Sequence, residues 1–280
     1  MASLESMMNP PWRLILHPPA HGAWNMAVDE AILEACSGHA APPTLRLYAW
    51  NPPCLSLGYA QPSSDVSTDA LAARGWHLVR RPTGGRAILH TDELTYAVIA
   101  PAENPVVEGS VLESYRRIAR ALLASLNQLS LPARADQTYP LPAGTERNGP
   151  VCFEVPSNYE ITVDGKKLIG SAQARRQGGV LQHGSLPLTG DLTRILQGLS
   201  FENEESRQAA RARLLQHATT VEAALNRSVS WEEAARVMIS AFETTLGISL
   251  IPGELTPQES ERALVLMQEK YAHPSWTFRV

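Results

Sequence analysis

Cysteine is scarce in this chain: 280 residues carry three, at positions 36, 54 and 152. An odd number, widely separated, argues against a disulfide frame and fits free thiols in a reducing compartment, so a cytoplasmic location is expected. No CxxC pair suggests zinc, and neither a metal nor a cofactor is expected. No run approaches the roughly 18 consecutive apolar residues of a membrane span, so no membrane partner is expected. The opening MASLESMMNPPWRLIL lacks a basic segment followed by a long apolar run and does not read as a signal peptide. Positive charge is not in excess. A net charge of −4 and a pI near 6.1 argue against a general nucleic-acid binder. Internal repeats and low-complexity tracts are also missing.

What is present is ordinary globular composition, 44% hydrophobic and 19% charged. The length suits one large domain or one domain with an appendage. Trp12 to Leu16 reads as a short strand, and Asn25 to Cys36 as a helix burying Met26, Ala27, Ile32, Leu33 and Cys36. Strands are expected over Thr44–Trp50, Cys54–Gly58, Trp76–Arg81, Arg86–His90 and Leu94–Ala100, with a short helix over Asp65–Arg74. Cys36 and Cys54 fall on these apolar faces and read as core. Val111 to Leu129 is the clearest amphipathic helix, its stripe running through Leu112, Tyr115, Ile118, Leu122, Leu126 and Leu129. Arg116, Arg117 and Arg120 lie largely off that stripe. After Leu186 the pattern turns helical: Asp191–Leu199, Glu204–Gln216, Val221–Leu225, Trp231–Leu246 and Pro257–Tyr271. Capping boxes are expected at Thr219–Glu222 and Ser230–Glu233. The fold class is α+β: a mixed, largely antiparallel sheet with flanking helices and a helical C-terminal part.

Two stretches carry chemistry. In the first, PVCFEVPSNYEITVDGKKLIGSAQ, Tyr159–Val163 reads as a strand, Asp164-Gly165 as a two-residue hairpin turn, Lys167–Gln173 as the returning strand and Val180–Leu186 as a third. Cys152 precedes the first strand and Lys167 follows the turn. A thiol accepts an acyl group as thiolate, and a neighbouring ammonium favours that anion. Cys152 is thus a candidate nucleophile and Lys167 its stabiliser; a small buried thiol and a solvated lysine satisfy the same pattern. In the second, Pro82-Thr83-Gly84-Gly85 turns between strands, with Arg80, Arg81 and Arg86 around it. Paired glycines let backbone amides approach a carboxylate or phosphate, and an ordinary hairpin with surface arginines fits equally. It is not a Walker loop, because GxxxxGK[ST] is missing. Arg134 to Gly149 reads as a long polar loop leading into Cys152.

RRPTGGRAILH (80–90), DGKKLIGSAQ (164–173) and LQHGSL (181–186) together resemble the lipoate/octanoate transferase branch of the biotinyl/lipoyl protein ligase (BPL/LPL) family. NMAVDEAIL and TLRLYAWNPPCLSLGY resemble that family's opening, and EKYAHPSWTFRV its close. The CFEVPSNYE run ahead of the lysine is similar to LipM-type octanoyltransferases. LipB-type enzymes place their cysteine after the lysine, and lipoate ligases typically have none there.

The resemblance implies one globular unit over 1–280, with a catalytic domain over about 40–250 and a helical tail over about 251–280. It implies octanoyl transfer from octanoyl-acyl carrier protein to a lysine of a lipoyl domain, such as the glycine cleavage H protein, through a Cys152 thioester aided by Lys167. Arg80, Gly84, Gly85 and His90 would line one wall of the acyl pocket, and Gly170, Ser171 and Ala172 the other. His90 and His183, both in motif stretches, are expected at the substrate, though a lone histidine on a strand is more often structural, and the base for the acceptor lysine is left open. Arg116, Arg117, Arg120, Arg175 and Arg176 are candidates for docking an acidic carrier. The alternatives are an ATP-dependent lipoate or octanoate ligase, an amidotransferase between lipoyl domains, and a non-catalytic acyl-carrier-binding module.

Overall fold

The computed structural model describes residues 11–136 and 160–280, so Cys152 and the stretch around it lie outside the described residues. Two neighbouring strands form the centre: β6 (Glu93–Pro101) and β10 (Gly179–Pro187), every residue of both being buried. They pair antiparallel over their whole length. Burial on both faces requires cover on both faces, because successive side chains of a strand point to opposite sides. Leu94, Tyr96, Val98 and Ala100 pack against α3 (Val111–Gln128) and α6 (Trp231–Leu246). Ala97, Ile99 and Leu181 pack against α1 (Gly22–Ser37) on the other side.

Around this pair runs a mixed, mostly antiparallel sheet. It includes β1 (Trp12–Leu16), β2 (Thr44–Tyr48), β7 (Arg134–Asp136), β8 (Glu160–Val163), β9 (Lys166–Arg176) and β11 (Leu250–Pro252), in the order β11-β1-β2-β6-β10-β9-β8-β7. β1 is parallel to both its neighbours. A second sheet, β4-β3-β5, comprises β3 (Cys54–Leu57), β4 (His77–Arg80) and β5 (Ile88–His90). It has its own core with α2 (Thr68–Ala72) and α4 (Glu204–His217) through Leu55, Leu57, Leu71 and Leu214.

The differences from expectation have local causes. β9 extends to Arg176 because Gln177 and Gly178, at φ of 51° and 78°, form a tight turn into β10. The expected helix over 191–199 is a 3₁₀ segment, Leu192–Gln197, capped by Asp191. The last turn of the expected 257–271 helix widens: α7 (Pro257–Leu266) passes into a π-helical turn over Met267–Tyr271. The cap before α5 (Val221–Leu225) is Thr220, not Thr219. The C-terminal part is not all helical, since β11 completes the sheet edge beside β1. Ion pairs then tie α7 and the turn after it to the N-terminal elements: Arg13 to Glu259 at 2.6 Å, Arg262 to Glu34 at 2.6 Å and Lys270 to Glu30 at 2.6 Å. A final turn, α8 (Pro274–Thr277), lies on β4, where Trp276 Nε1 donates to the Arg80 carbonyl at 2.8 Å.

Candidate active site

A cavity of about 490 Å³ opens between the two sheets and the first turn of α3. Apolar side chains line much of it: Met26, Trp50, Ile88, Val111, Leu112 and Tyr115. The capping box of Ser110 and Glu113 starts α3 here. It leaves Val111 and Leu112 half exposed, at 52% and 40%, beside the cavity rather than in the core.

Gly84, Gly85 and His90 line the cavity from one side, and Lys167, Gly170, Ser171, Ala172 and His183 from the other. The structure thus brings eight of the residues picked out from the sequence to one space. Arg80 is the exception. It is fully buried beneath the turn and donates to carbonyls: Thr277 at 2.9 and 2.7 Å, Gly58 at 2.8 Å and Gln61 at 2.6 Å. Its neighbour Arg81 reaches the cavity wall. Arg81 also shapes the diglycine turn, donating to the carbonyls of Gly84 (2.8 Å), Arg86 (2.8 Å) and Ser56 (3.0 Å). The turn needs glycine twice over. Gly85 sits at φ 97°, and a Cβ on Gly58 would fall 1.9 Å from the Gly85 carbonyl oxygen.

Lys167 is 4% exposed, and its ammonium donates to Glu160 Oε1 at 2.6 Å. Glu160 closes the CFEVPSNYE run, so the stretch that holds Cys152 ends on the carboxylate that fixes where the ammonium sits. The two thiols among the described residues are core groups. Cys36 and Cys54 are fully buried; burial pushes the Cys36 thiol up to about 12 and raises Cys54 further.

Beneath the cavity lie two buried chains of polar groups that sequence reasoning did not find. In one, Asp29 Oδ2 meets His183 Nδ1 at 3.3 Å and His183 Nε2 meets Thr83 Oγ1 at 2.7 Å. Tyr48 and Arg46 also donate to Asp29, at 2.9 and 2.7 Å. Burial pushes the Asp29 carboxyl up, but the charge of Arg46 and the hydrogen bond from His183 outweigh it and hold it below its ordinary range. Burial drives the His183 imidazole the other way, down, against the pull of Asp29. In the second chain, Glu93 Oε1 meets His90 Nδ1 and His90 Nε2 meets Ser56 Oγ, each at 2.8 Å. His90 stacks on Trp50 with ring centroids 3.9 Å apart. Burial raises the Glu93 carboxyl, yet His90, Thr95 and Ser185 together bring it below its ordinary value. Both nitrogens of each histidine therefore have partners within the protein, which fixes the rings as flooring of the cavity. The signal for these chains was the polar residue recurring within apolar runs, such as Asp29 in NMAVDEAIL.

The arginines expected to form one patch divide. Arg175 holds the loop before α3, through the Val107 and Gly109 carbonyls at 2.8 Å each, and Arg117 holds the Val106 carbonyl at 3.0 Å. Arg116 and Arg120 are exposed, and Arg176 lies over the Tyr59 ring.

Comparison with known proteins accounts for this arrangement. A family model described as the lipoyl protein ligase A/B catalytic domain matches residues 21–243. Octanoyltransferase LipM of Kyrpidia tusciae is 42% identical over 273 residues, covering 96% of this chain and 98% of its own. Octanoyltransferase LipM of Symbiobacterium thermophilum is also 42% identical, over 277 residues and with the same coverage. Among solved structures, one from an archaeal lipoylation system of Thermoplasma acidophilum, a bi-partite lipoate protein ligase and its E2 lipoyl domain, matches with a TM-score of 0.80. It is 25% identical and covers 96% of each chain. A lipoate-protein ligase A bound with ATP matches with a TM-score of 0.77 at 26% identity, covering 96% of this chain and 98% of that one.

Proposed function

The chain belongs to the lipoyl protein ligase A/B catalytic-domain family and is an acyltransferase of lipoate biosynthesis, and from that premise we propose that it moves octanoyl from octanoyl-acyl carrier protein to a lysine of a lipoyl domain through a thioester on Cys152. The reading is supported by the contrast between the thiols. Two of three are core groups with raised pKa, and the third belongs to the motif that ends on Glu160, the partner of Lys167 at the cavity wall.

The cavity suits the acyl chain. Each methylene moved from water into apolar surroundings contributes about 0.8 kcal/mol, so the tail of an octanoyl group supplies roughly 5 kcal/mol of binding. In the first step the Cys152 thiolate attacks the donor carbonyl, a new C–S bond forms, the carrier's own C–S bond breaks, and the carrier leaves as thiolate, taking back from water the proton that Cys152 had given up. The exchange is thioester for thioester and near neutral in energy. Lys167 provides the positive charge that favours the thiolate. In the second step the acceptor amine attacks, a C–N bond forms, and Cys152 leaves as thiol. Amide formation from a thioester is downhill, so no ATP is required. The acceptor lysine, with an ordinary pKa of ~10.4, must first lose its proton. That first proton passes to water, and the second proton, shed by the amine as the C–N bond forms, goes to the departing Cys152 sulfur. Splitting transfer in two predicts ping-pong kinetics.

The test is intact-protein mass spectrometry after mixing with octanoyl-acyl carrier protein without ATP, for wild type and Cys152→Ser. A hydroxylamine-labile octanoyl adduct on wild type, absent from the variant and passed on to a lipoyl domain, is expected. Modification of the lipoyl domain only with ATP and free octanoate would replace the proposal with a ligase, the activity of the ATP-bound structural relative. Octanoyl accepted only from another lipoyl domain would replace it with an amidotransferase.

A further inference from the structure

Behind the diglycine turn lies a second cleft, also of about 490 Å³. It shares Gly84, Gly85, Arg86 and Gln173 with the acyl cavity, so the turn stands between two adjoining spaces. Its character is different. Its wall carries Tyr59, Gln61, Arg86, Arg175 and Arg176. Tyr59 anchors two guanidinium groups, with Arg279 Cζ 3.8 Å and Arg176 Cζ 4.7 Å from the ring centroid. Backbone carbonyls hold the same two groups, Pro82 accepting from Arg176 at 3.1 Å and Tyr59 from Arg279 at 3.3 Å. Among the described residues, the ion pairs of the chain include neither Arg86, Arg176 nor Arg279. Gln61 on this wall donates to Asp65 at 2.9 Å. A protein of net charge −4 thus places Arg86 and Arg176 on the wall of one cleft, with Arg279 beside them on the Tyr59 ring.

We propose that this cleft holds the phosphodiester of the donor's arm, gripped by Arg86, Arg176 and Arg279, while the thioester at the arm's end crosses Gly84–Gly85 into the acyl cavity. The inference rests on the thioester-donor reading above and identifies the part of the donor that is recognised. A carrier thioester hangs on a phosphopantetheine arm, which is long, slender and negatively charged at its protein end. Its phosphate offers two non-bridging oxygens, which match the forked donors of arginine. Gly84 leaves room for the pantetheine chain, since a Cβ there would meet nothing within 4 Å.

The experiment uses three probes on the full chain: octanoyl-phosphopantetheine, octanoyl-pantetheine without the phosphate, and acyl-free phosphopantetheine. The proteins are wild type and the double variant R176Q/R279Q. Wild type should reach half-saturating self-acylation at about tenfold lower concentration with the phosphorylated donor, a difference of about 1.4 kcal/mol. The double variant should lose that preference while its rate with octanoyl-pantetheine stays unchanged. Equal half-saturation by both donors on wild type would overturn the proposal. So would a double variant slowed equally with both, which would mark the arginines as merely structural. Titration calorimetry with acyl-free phosphopantetheine decides independently of any acylation. Heat with wild type and about tenfold weaker binding by the variant is expected, and binding unaffected by the substitutions overturns the site. Absence of acylation of wild type by any donor would instead strike the thioester reading, leaving the calorimetric result to judge the cleft.

Discussion

Arg80→Leu should destabilise this protein by about 3–5 kcal/mol. The guanidinium is fully buried and satisfies four carbonyl oxygens, those of Gly58, Tyr59, Gln61 and Thr277. Leucine keeps much of the volume but removes every donor. A buried carbonyl left without a donor costs roughly 1–3 kcal/mol. Tyr59 is half-buried and can turn its carbonyl to water, which leaves three groups bearing most of the loss. For a chain of this size about 1 kcal/mol lowers the melting temperature by roughly 2–4 °C, so a fall of about 10–15 °C is expected. Arg80→Lys retains one or two donors and should fall between. The assay is thermal and urea unfolding followed by circular dichroism, beside the half-saturating donor concentration for self-acylation. Unchanged melting with a raised half-saturating concentration would refute the reasoning, because it would mean that Arg80 meets ligand and not backbone.

Iodoacetamide on the native protein should leave Cys36 and Cys54 unlabelled, both being buried with pKa pushed up; peptide mass mapping that finds either labelled before unfolding contradicts this. His17 is brought down to about 4 by burial and by Arg46, whose Nε donates to its Nδ1 at 3.0 Å. Its folded pKa lies below the ordinary 6.5, so the unfolded chain binds the extra proton. Stability from this group is full above pH ~6.5 and declines as pH falls toward about 4, by at most ~1.4 kcal/mol per pH unit. Urea unfolding at pH 7 and 5 should show the decline, and His17→Gln should flatten it. Gly58→Ala places a methyl group against the Gly85 carbonyl, so it should displace the diglycine turn and slow self-acylation at least tenfold. An unaltered rate would show that the turn's position does not matter to the reaction.

Much of the frame was legible because burial imposes period. β6 and the α3 stripe announced themselves by apolar spacing, and Asp164-Gly165 by turn chemistry, confirmed by φ of 49° and 74°. Arg80 and Arg81 show where legibility ends. Adjacent residues at a strand end point to opposite sides. Which side meets ligand depends on the second sheet and on Thr277, nearly 200 residues away, and no local pattern encodes that. Periodicity also told that Leu112 and Tyr115 face something apolar. It could not distinguish a protein core from a cavity. The Asp29–His183 chain was hidden for the same reason, since its two members are joined only by tertiary structure.

The position of β1 also bears on how the protein is made. It lies between β2 and β11, and Trp12 pairs with Leu250, while Arg13 waits for Glu259. Synthesis at about 5–20 residues per second puts roughly 10–50 s between the first strand leaving the ribosome and its last partner arriving. Through that interval the nascent chain presents one unfinished parallel edge and an arginine without its carboxylate. β1 is thus among the last elements to be locked. Nascent-chain stalling before residue 250 should leave it open to added protease, and stalling beyond Glu259 should close it.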